Sequence, residues 1–354
     1  MRRIQRLARW TTKALLIFTA PAFLVRCAPL HSRSGTGIEG GGPLNVVSGE
    51  IKGVFVLSTE KIGQSPMEAS IYSVHADGTN KKFLTGKGSW MPSWTPDGRI
   101  IYVSASSGSP QIWIMNEDGR NPKQIGNVSD GAVQPQMAKN GLIVFGSNSG
   151  IWSMKEDGSD QKKIVSNPED GVVAHPSLAL SGTWITYTAY ENVPETTTPY
   201  QRQIWRINTD GTDQQQLTFR GDPDYPDGNA SMISPDEKWI AIFTGKEDEP
   251  NQTVFTTGHR NVGIMSATGG SIQLLTACEP VFTQQEYDER DEQGCIMADD
   301  PVWSADSQWI IHSRANKRFE SLGTWVVDIT GQNSHRLFSE LRGYGRVVMR
   351  FLSN

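Results

Sequence analysis

Short runs of hydrophobic and polar residues, each ending in a turn, recur along the chain. One run extends from Ile71 to the dipeptide Asp77-Gly78. Such a run is typical of a β-strand followed by a tight hairpin turn, because both residues of Asp-Gly tolerate a positive φ. The pattern occurs six times, with weaker matches in the last two copies, in the segments 71–78, 112–119, 151–158, 204–211, 262–269 and 324–331.

A second pattern alternates with the first. The segment Pro92–Gly98 reads Pro-Ser-Trp-Thr-Pro-Asp-Gly and precedes the apolar run Ile100–Val103. Its second proline presets φ for a turn, and its glycine relieves the exit from that turn. A third pattern, an apolar residue before Leu-Thr as in Phe83–Thr85, ends several repeats. Each repeat therefore offers four short strands. Segments related to the second pattern begin at Pro135, Pro176, Ser234 and Pro301.

Four-stranded units that recur about every 40–60 residues are the signature of a β-propeller. We therefore predict an all-β fold over residues 51–354, a six-bladed β-propeller of four-stranded antiparallel blades. The first repeat begins at Ile51–Leu57, which matches a second strand, and the run Tyr344–Phe351 remains after the last repeat. We expect this C-terminal strand to complete the first blade and close the ring, which removes exposed sheet edges.

The two alternating patterns, with Leu-Thr between them, resemble the repeats of the TolB-like six-bladed propeller family, which are WD-like. The resemblance covers residues 51–351. It implies a component of the bacterial cell envelope that binds protein partners, of the Tol-Pal type. Proteins of this family also carry an α/β domain before the propeller. We do not expect that domain here, because only residues 28–50 separate the predicted leader from the first strand.

Residues 1–27 have the pattern of an export signal. They contain six basic residues and no acidic one, and the apolar run Ala14–Val25 is too short to span a membrane as a helix. Cys27 follows Leu24-Val25-Arg26, which resembles a lipoprotein signal in which the cysteine is lipidated. Arg26 departs from that pattern, so cleavage near Ala20–Ala22 and an uncleaved anchor remain alternatives. The Gly- and Ser-rich segment 28–50 is predicted to be a flexible linker.

The charge of the chain without this leader disfavours two classes of partner. Of the 33 basic residues, six lie in residues 1–27, which leaves 27 against 38 acidic residues and a net charge of −11. Such a surface repels phosphate backbones and anionic lipid headgroups. We therefore expect no nucleic-acid partner, and membrane attachment only through an N-terminal lipid.

Most of the tryptophans occupy equivalent positions of the repeat, and we interpret these positions as packing sites between blades rather than ligand-stacking sites. The chain has 11 tryptophans. Three positions account for nine of them: Trp113, Trp152, Trp205 and Trp325 at one, Trp94 and Trp303 at another, and Trp184, Trp239 and Trp309 at the third.

The innermost strands of a propeller line a central channel. The residue before the Pro-x-Trp position should lie in that strand near the channel mouth, which predicts a ring of Met91, Gln134, His175, Ala230 and Asp300. This mixed polar ring could hold a small ligand, a peptide tip or a metal ion such as calcium. A water-filled channel without ligand or cofactor is the simpler alternative. Further candidates for the ring are Asn229 and Asp299 beside it and Arg346 from the closing strand.

An acidic insertion interrupts the fifth repeat between Cys278 and Cys295. Two cysteines close together in an exported protein predict a disulfide that pins this loop. Long loops on a rigid scaffold often carry function. A second insertion, 191–201, is predicted to be a solvent-exposed loop. The candidate binding residues of the acidic insertion are Glu286, Asp288, Glu289, Asp291 and Glu292.

The sequence offers no catalytic motif. It contains no Cys-x-x-Cys, His-Glu-x-x-His or phosphate-binding glycine loop, and its six histidines are scattered without the spacing of metal ligands. We therefore predict a non-enzymatic propeller that binds a protein or ligand in the periplasm or at a lipid-anchored position. The alternative is a propeller enzyme, a polysaccharide lyase or a hydrolase acting in the channel. A sensor or regulatory domain of a larger assembly is a third hypothesis.

Overall fold

The protein is an all-β propeller of six four-stranded antiparallel sheets, as predicted. We use a computed structural model, which describes residues 53–58, 65–76, 78–192, 200–219, 227–245, 261–278, 285, 289, 295, 297–316, 321–338 and 348–350. Within this part, no helix is long and apolar enough to cross a membrane. The predictions for residues 1–27 and 28–50, including that for Cys27, concern residues outside this part.

The strands follow the repeat closely. In chain order they are β1 (Val54–Ser58), β2 (Ile71–His75), β3 (Lys82–Thr85), β4 (Ser89–Trp94), β5 (Ile100–Ser104), β6 (Gln111–Met115), β7 (Lys123–Gln124), β8 (Val133–Met137), β9 (Ile143–Ser147), β10 (Gly150–Met154), β11 (Lys162–Ser166) and β12 (Gly171–Leu178). They continue with β13 (Trp184–Asn192), β14 (Tyr200–Asn208), β15 (Gln215–Gln216), β16 (Asp227–Ile233), β17 (Trp239–Gly245), β18 (Asn261–Ser266), β19 (Gln273–Leu274), β20 (Met297–Trp303), β21 (Trp309–Ala315), β22 (Ser321–Asp328), β23 (Ser334–Phe338) and β24 (Val348–Arg350). A single turn of 3-10 helix lies at Pro66–Glu68.

The inner strands of the blades are buried, whereas the outer strands are short and more exposed. All residues of β5 and of β9 are buried, because each blade packs between two neighbours and both faces of its inner strands are covered. The outer strands β7, β15 and β19 have only two residues each. Short outer strands leave little unpaired backbone for another chain to pair with.

The C-terminal strand closes the ring, as the sequence predicts. Strand β24 pairs with β1, so that blade 1 has the order β24-β1-β2-β3 and combines both ends of the propeller. The first strands of successive blades contact one another, and β24 contacts both β20 and β4. The first strands β4, β8, β12, β16, β20 and β24 therefore form the inner wall of the propeller.

The repeated tryptophans pack against the interfaces between blades, as predicted. Trp94 and Trp113 of blade 2 lie against a buried cluster that includes Val56 of blade 1 and Tyr102 of blade 2. Trp303 of blade 6 is buried and its indole N–H donates to the Met232 carbonyl of blade 5 at 2.8 Å. The indole N–H groups of Trp94, Trp184 and Trp303 thus join neighbouring blades by hydrogen bonds in addition to apolar contact.

One prediction about a loop is wrong at the ends of the segment 191–201. Glu191 pairs with Gln201 and Asn192 with Tyr200 as the continuation of the β13–β14 hairpin, and residues 193–199 lie outside the described residues. Both strands have nine residues, whereas β9 and β10 of the preceding blade have five. The hairpin of blade 4 therefore extends beyond that of its neighbour.

The two faces of the propeller differ in their connections. The bottom face, where first and second strands are joined, has turns of equal length in blades 2–6: 95–99, 138–142, 179–183, 234–238 and 304–308. At the opposite, top face the first strands begin, and the second and third strands are joined. The long connections 246–260 and 275–296 run between strands that end or begin at the top face.

Turns at the bottom face hold adjacent blades together. The guanidinium of Arg99 in blade 2 pairs with Glu156 of blade 3. The carboxylate of Glu237 in blade 5 accepts hydrogen bonds from the Ser181 N–H at 2.6 Å and from the Trp184 indole at 3.1 Å, both in blade 4. These contacts give the bottom face a structural role.

Candidate functional site

Each first strand described in blades 2–6 carries a β-bulge at the position of the predicted ring. Register shifts occur between Trp90 and Ser93 in β4 and between Ala174 and Ser177 in β12, with equivalents in β8, β16 and β20. Two residues therefore replace one in the ladder, and the first of them is the ring residue. A bulge bends the strand and re-aims a side chain, which separates these residues from the regular pairing.

The ring residues share an unusual backbone conformation. Four of them have a positive φ although none is a glycine: Met91 at 50°, Gln134 at 53°, His175 at 52° and Ala230 at 44°. This left-handed region costs a residue with a Cβ atom about 1–2 kcal/mol. The packing of six blades around a closed inner wall must therefore impose the conformation, and it does so at the same point of each of these blades.

The structure brings two predicted ring residues together. The Gln134 Nε2 atom lies 2.9 Å from the His175 Nδ1 atom, in a hydrogen bond between blades 3 and 4. Gln134 is buried and His175 half-buried, and the imidazole lies 6.1 Å from the Tyr190 ring, centroid to centroid. An amide and an imidazole in contact form a polar site that can donate and accept hydrogen bonds.

A second glutamine fixes the strand that carries His175. The Gln136 Nε2–H donates to the Pro176 carbonyl at 3.1 Å, and Gln136 Oε1 accepts from the Leu178 N–H at 2.8 Å. Both bonds cross from blade 3 to blade 4, one at the bulge residue Pro176 and the other two residues after it. Sequence reasoning missed Gln136 and Tyr190, since only the bulge and the extended β13 bring them near the ring.

The remaining ring candidates are only partly placed. Asn229, Asp299 and Asp300 lie in β16 and β20 at the bulge, but their side chains are outside the described residues. Arg346 lies outside the described residues entirely. Among the side chains that are described, no group of three His, Cys, Asp or Glu residues could hold a metal ion.

Cys278 and Cys295 form a disulfide, as predicted, with 4.9 Å between their Cα atoms. Cys278 is buried at the end of blade 5, where Asn261 brackets it. The Cys278 N–H donates to Asn261 Oδ1 at 2.7 Å, and Asn261 Nδ2–H donates to the Cys278 carbonyl at 3.1 Å. The disulfide thus anchors both ends of the acidic insertion against the junction of blades 5 and 6.

Of the acidic candidates within the insertion, only one is described. Glu289 is exposed and its carboxylate accepts a hydrogen bond from Gln285 Nε2 at 2.8 Å. The candidates outside the described residues are Glu286, Asp288, Asp291 and Glu292.

Comparison with known proteins agrees with the repeat pattern. No family model matches the sequence. The chain is 27% identical over 139 residues to the Tol-Pal system protein TolB of Anaeromyxobacter dehalogenans (strain 2CP-C), a match that covers 37% of this chain and 30% of that protein. The chain therefore matches less than a third of the length of this relative.

Solved structures share the fold at low sequence identity. TolB from Acinetobacter baumannii superposes with a TM-score of 0.57 at 15% identity, over 84% of this chain and 66% of that chain. The hydrazine synthase of Kuenenia stuttgartiensis superposes with a TM-score of 0.59 at 13% identity, over 84% of this chain and 46% of that chain. Because the fold occurs in such different proteins, it does not by itself define an activity. The chain is a six-bladed β-propeller with sequence similarity to TolB.

Proposed function

We propose that this chain is a non-enzymatic binding propeller of the bacterial cell envelope that holds a protein partner on its top face. The observation that carries the proposal is the Gln134–His175 contact at the bulge ring. This contact lies toward the top face, where the first strands begin. The insertion that the disulfide anchors follows the last strand of blade 5, which also ends at the top face. Both observations support a binding surface made of the ring and the insertion.

The chemistry of the ring favours binding over catalysis. Gln134 and His175 can both donate and accept hydrogen bonds, which is what recognition of a polar partner group needs. The carboxamide contact ties up one imidazole nitrogen at 2.9 Å. A rigid ring with strained backbone suits recognition, because a preorganised site loses little entropy when a partner binds.

The kind of partner follows from the similarity to TolB. The relative from Anaeromyxobacter is a Tol-Pal system protein, and we propose an envelope protein of the Tol-Pal type as the partner. Residues 1–27 would export the chain to the periplasm, and Cys27 is the proposed lipid attachment site. The net charge of −11 without the leader disfavours nucleic acid and bare anionic membrane surfaces as partners.

The proposal is tested by affinity capture from an envelope extract. The bait is the full chain, as wild type, as the double variant Gln134→Ala/His175→Ala, and as the control Asp118→Asn in an exposed bottom-face turn. We expect wild type and control to recover the same partner and the double variant to lose most of it. Truncating a central interface residue typically costs 1–2 kcal/mol or more, which is about a tenfold loss of affinity.

Two results would contradict the proposal. Equal recovery with the double variant would remove the ring from the interface. Turnover of a glycan or peptide substrate by the wild type that His175→Ala abolishes would make the chain an enzyme instead. Circular dichroism of each variant separates a lost interface from a lost fold.

A further inference from the structure

The repeat provides an internal comparison of blades, and one position of the second strand differs in blade 6. This position lies opposite the repeated tryptophan of the third strand, as Tyr102 lies opposite Trp113 and His312 opposite Trp325. Every side chain at it is buried. Of the six side chains at this position, only His312 belongs to a residue type whose ordinary pKa lies near neutral pH. The residues at this position are Leu57, Tyr102, Phe145, Tyr187, Ile242 and His312.

The next residue on the same face of the strand differs as well. Blades 2–5 have small side chains there, whereas blade 6 has Arg314, which is half-buried. In blade 1 the equivalent residue, Thr59, lies outside the described residues. The small residues are Ser104, Ser147, Ala189 and Thr244. On this face of its second strand, blade 6 therefore has a histidine where the other blades have an apolar or aromatic residue. Two residues later it has an arginine where blades 2–5 have a small residue.

The contacts of Arg314 leave part of its guanidinium without a partner. The Cζ atom lies 4.0 Å from the centre of the Trp325 ring, and Nη2–H donates to Ser334 Oγ at 2.9 Å. The Nε atom is buried and has no hydrogen-bond partner among the described residues. No described carboxylate lies within ion-pair distance of Arg314.

His312 contributes a second unpaired atom on the same face. Its Nδ1 atom lies 3.2 Å from the Ser313 carbonyl, which makes Nδ1 the protonated nitrogen and leaves Nε2 as an acceptor. Nε2 is buried and, within the described part of the chain, also lacks a partner. Burial lowers the pKa of His312 to about 3, so the imidazole is neutral and Arg314 is the only cation of the pair.

A buried cation is normally paired, because desolvation of an isolated charge is costly. Burial lowers the pKa of Arg314 to about 10, so it remains charged at neutral pH. A buried polar atom without a hydrogen bond also destabilises the fold, because it has lost its bonds to water. Among the described residues, buried polar atoms without a partner also occur at Trp113, Trp205 and Thr244. Blade 6 differs because one of its two such atoms, Arg314 Nε, belongs to a cation, and an anion can accept a hydrogen bond from it.

We propose that Arg314, stacked on Trp325, binds an oxyanion, a carboxylate or phosphate group of a ligand, at the junction of blades 5 and 6. The guanidinium presents N–H donors in one plane, which matches the oxygens of either group. Ile310 and Val327, on the same faces of β21 and β22, pack in one cluster with Cys278 and Cys295. The site therefore lies beside the disulfide and is separate from the channel ring.

The blade 4 arginine offers a matched control. Arg206 stacks on Trp184 with its Cζ atom also 4.0 Å from the ring centre, but its Nη1–H donates to the Ala267 carbonyl at 2.7 Å. In the part of the chain that the structure describes, no buried nitrogen of the Arg206 guanidinium lacks a hydrogen-bond partner. Both arginines therefore make a cation–π contact, but only Arg314 has a buried N–H group without a partner in the described residues.

The experiment measures binding of sodium succinate and of inorganic phosphate to the full chain by isothermal titration calorimetry at constant ionic strength. We expect at least one of these anions to bind the wild type and Arg206→Gln. Arg314→Gln should lower the affinity about tenfold or more, because charge-assisted hydrogen bonds are the strong ones. Arg314→Lys should bind with intermediate affinity, since it keeps the charge and loses the planar donors.

The two anions distinguish a carboxylate site from a phosphate site, and Arg314-dependent binding of either supports the proposal. Absence of binding to the wild type for both anions would overturn it, and so would equal affinities of the wild type and Arg314→Gln. If Arg314→Gln unfolds, Arg314→Lys is tested instead. Its melting temperature in chloride buffer shows whether it is folded, and its affinity for the two anions is then compared with that of the wild type. Unchanged affinity in a folded Arg314→Lys would then reject the proposed role of the planar donors.

Discussion

His312 shows how a single residue can depart from a repeat at a buried position. The equivalent residue in blade 3 is Phe145, and both side chains are almost fully inaccessible to solvent. The Nε2 atom of His312 has no partner among the described residues, whereas a phenyl ring needs none. A residue that weakens the core locally and departs from five equivalent positions is a candidate for function rather than for stability.

The pKa of His312 predicts a pH-dependent stability. Burial lowers this pKa to about 3 in the folded chain, from the ordinary value of 6.5. Below pH 6.5 the unfolded chain therefore binds a proton that the folded chain does not, and the free energy of unfolding falls as the pH falls. Between pH 7.5 and 5.0 this loss is about 2 kcal/mol for one such group.

The variant His312→Phe isolates that contribution. It should lose about 2 kcal/mol less than the wild type between those two pH values, because only the histidine is removed and the carboxylates are common to both. At pH 7.5 it should be at least as stable, since an unpaired buried nitrogen is gone. Urea denaturation at both pH values checks this. Identical pH dependence of the two proteins would contradict the burial of a neutral imidazole.

At the scale of elements, the turns and strands were predictable because their signals are local. Asp-Gly and Pro-Asp-Gly mark turns wherever they occur, and the strands between them follow. The segment 191–201 has no such signal, and the pairing of its ends depends on the neighbouring strand, so the prediction of a loop is wrong at those ends. The ring is predicted from position in the repeat alone, whereas the Gln134–His175 bond requires a bulge in two different blades. The position of a residue in the repeat can be predicted from the sequence, whereas its contacts with a residue of another blade cannot.

The disulfide connects two elements and predicts a loss of stability when it is removed. Cys278 follows β19 and Cys295 precedes β20, with a sequence separation of 17. Closing a loop of this size restricts the unfolded chain and is worth about 3 kcal/mol. The double variant Cys278→Ser/Cys295→Ser should lose about that much free energy of unfolding in urea.

A reducing agent provides the control for this variant. Reduction should destabilise the wild type by a similar amount and leave the double variant unchanged, because the variant has no bond to reduce. Equal stability of the oxidised wild type and the double variant would show that the packing around Cys278 alone holds this junction.

At the scale of the whole molecule, the two faces of the propeller differ in the regularity of their connections. The bottom face carries short turns of equal length and contacts between blades, such as that of Arg99 with Glu156. The top face carries the unequal connections, the extended β13–β14 hairpin and the bulge ring. A closed ring can tolerate such variation on one face, because its stability comes from contacts between blades rather than from the connections.

Closure of the ring itself depends on one short strand. In β24, Val348 pairs with Val56 and Met349 with Phe55, and both partners in β1 are fully buried. Deleting residues 348–354 should leave β1 as an exposed apolar edge. The free energy of unfolding should fall by about 2–3 kcal/mol from the lost ladder bonds alone, and the chain should associate through its open edge. Deleting only residues 352–354 keeps β24 and should change neither property. Thermal unfolding and size-exclusion chromatography at several concentrations measure both effects. A truncated chain that stays monomeric and unfolds at the wild-type temperature would mean that contacts among the other five blades hold the ring without the closing strand.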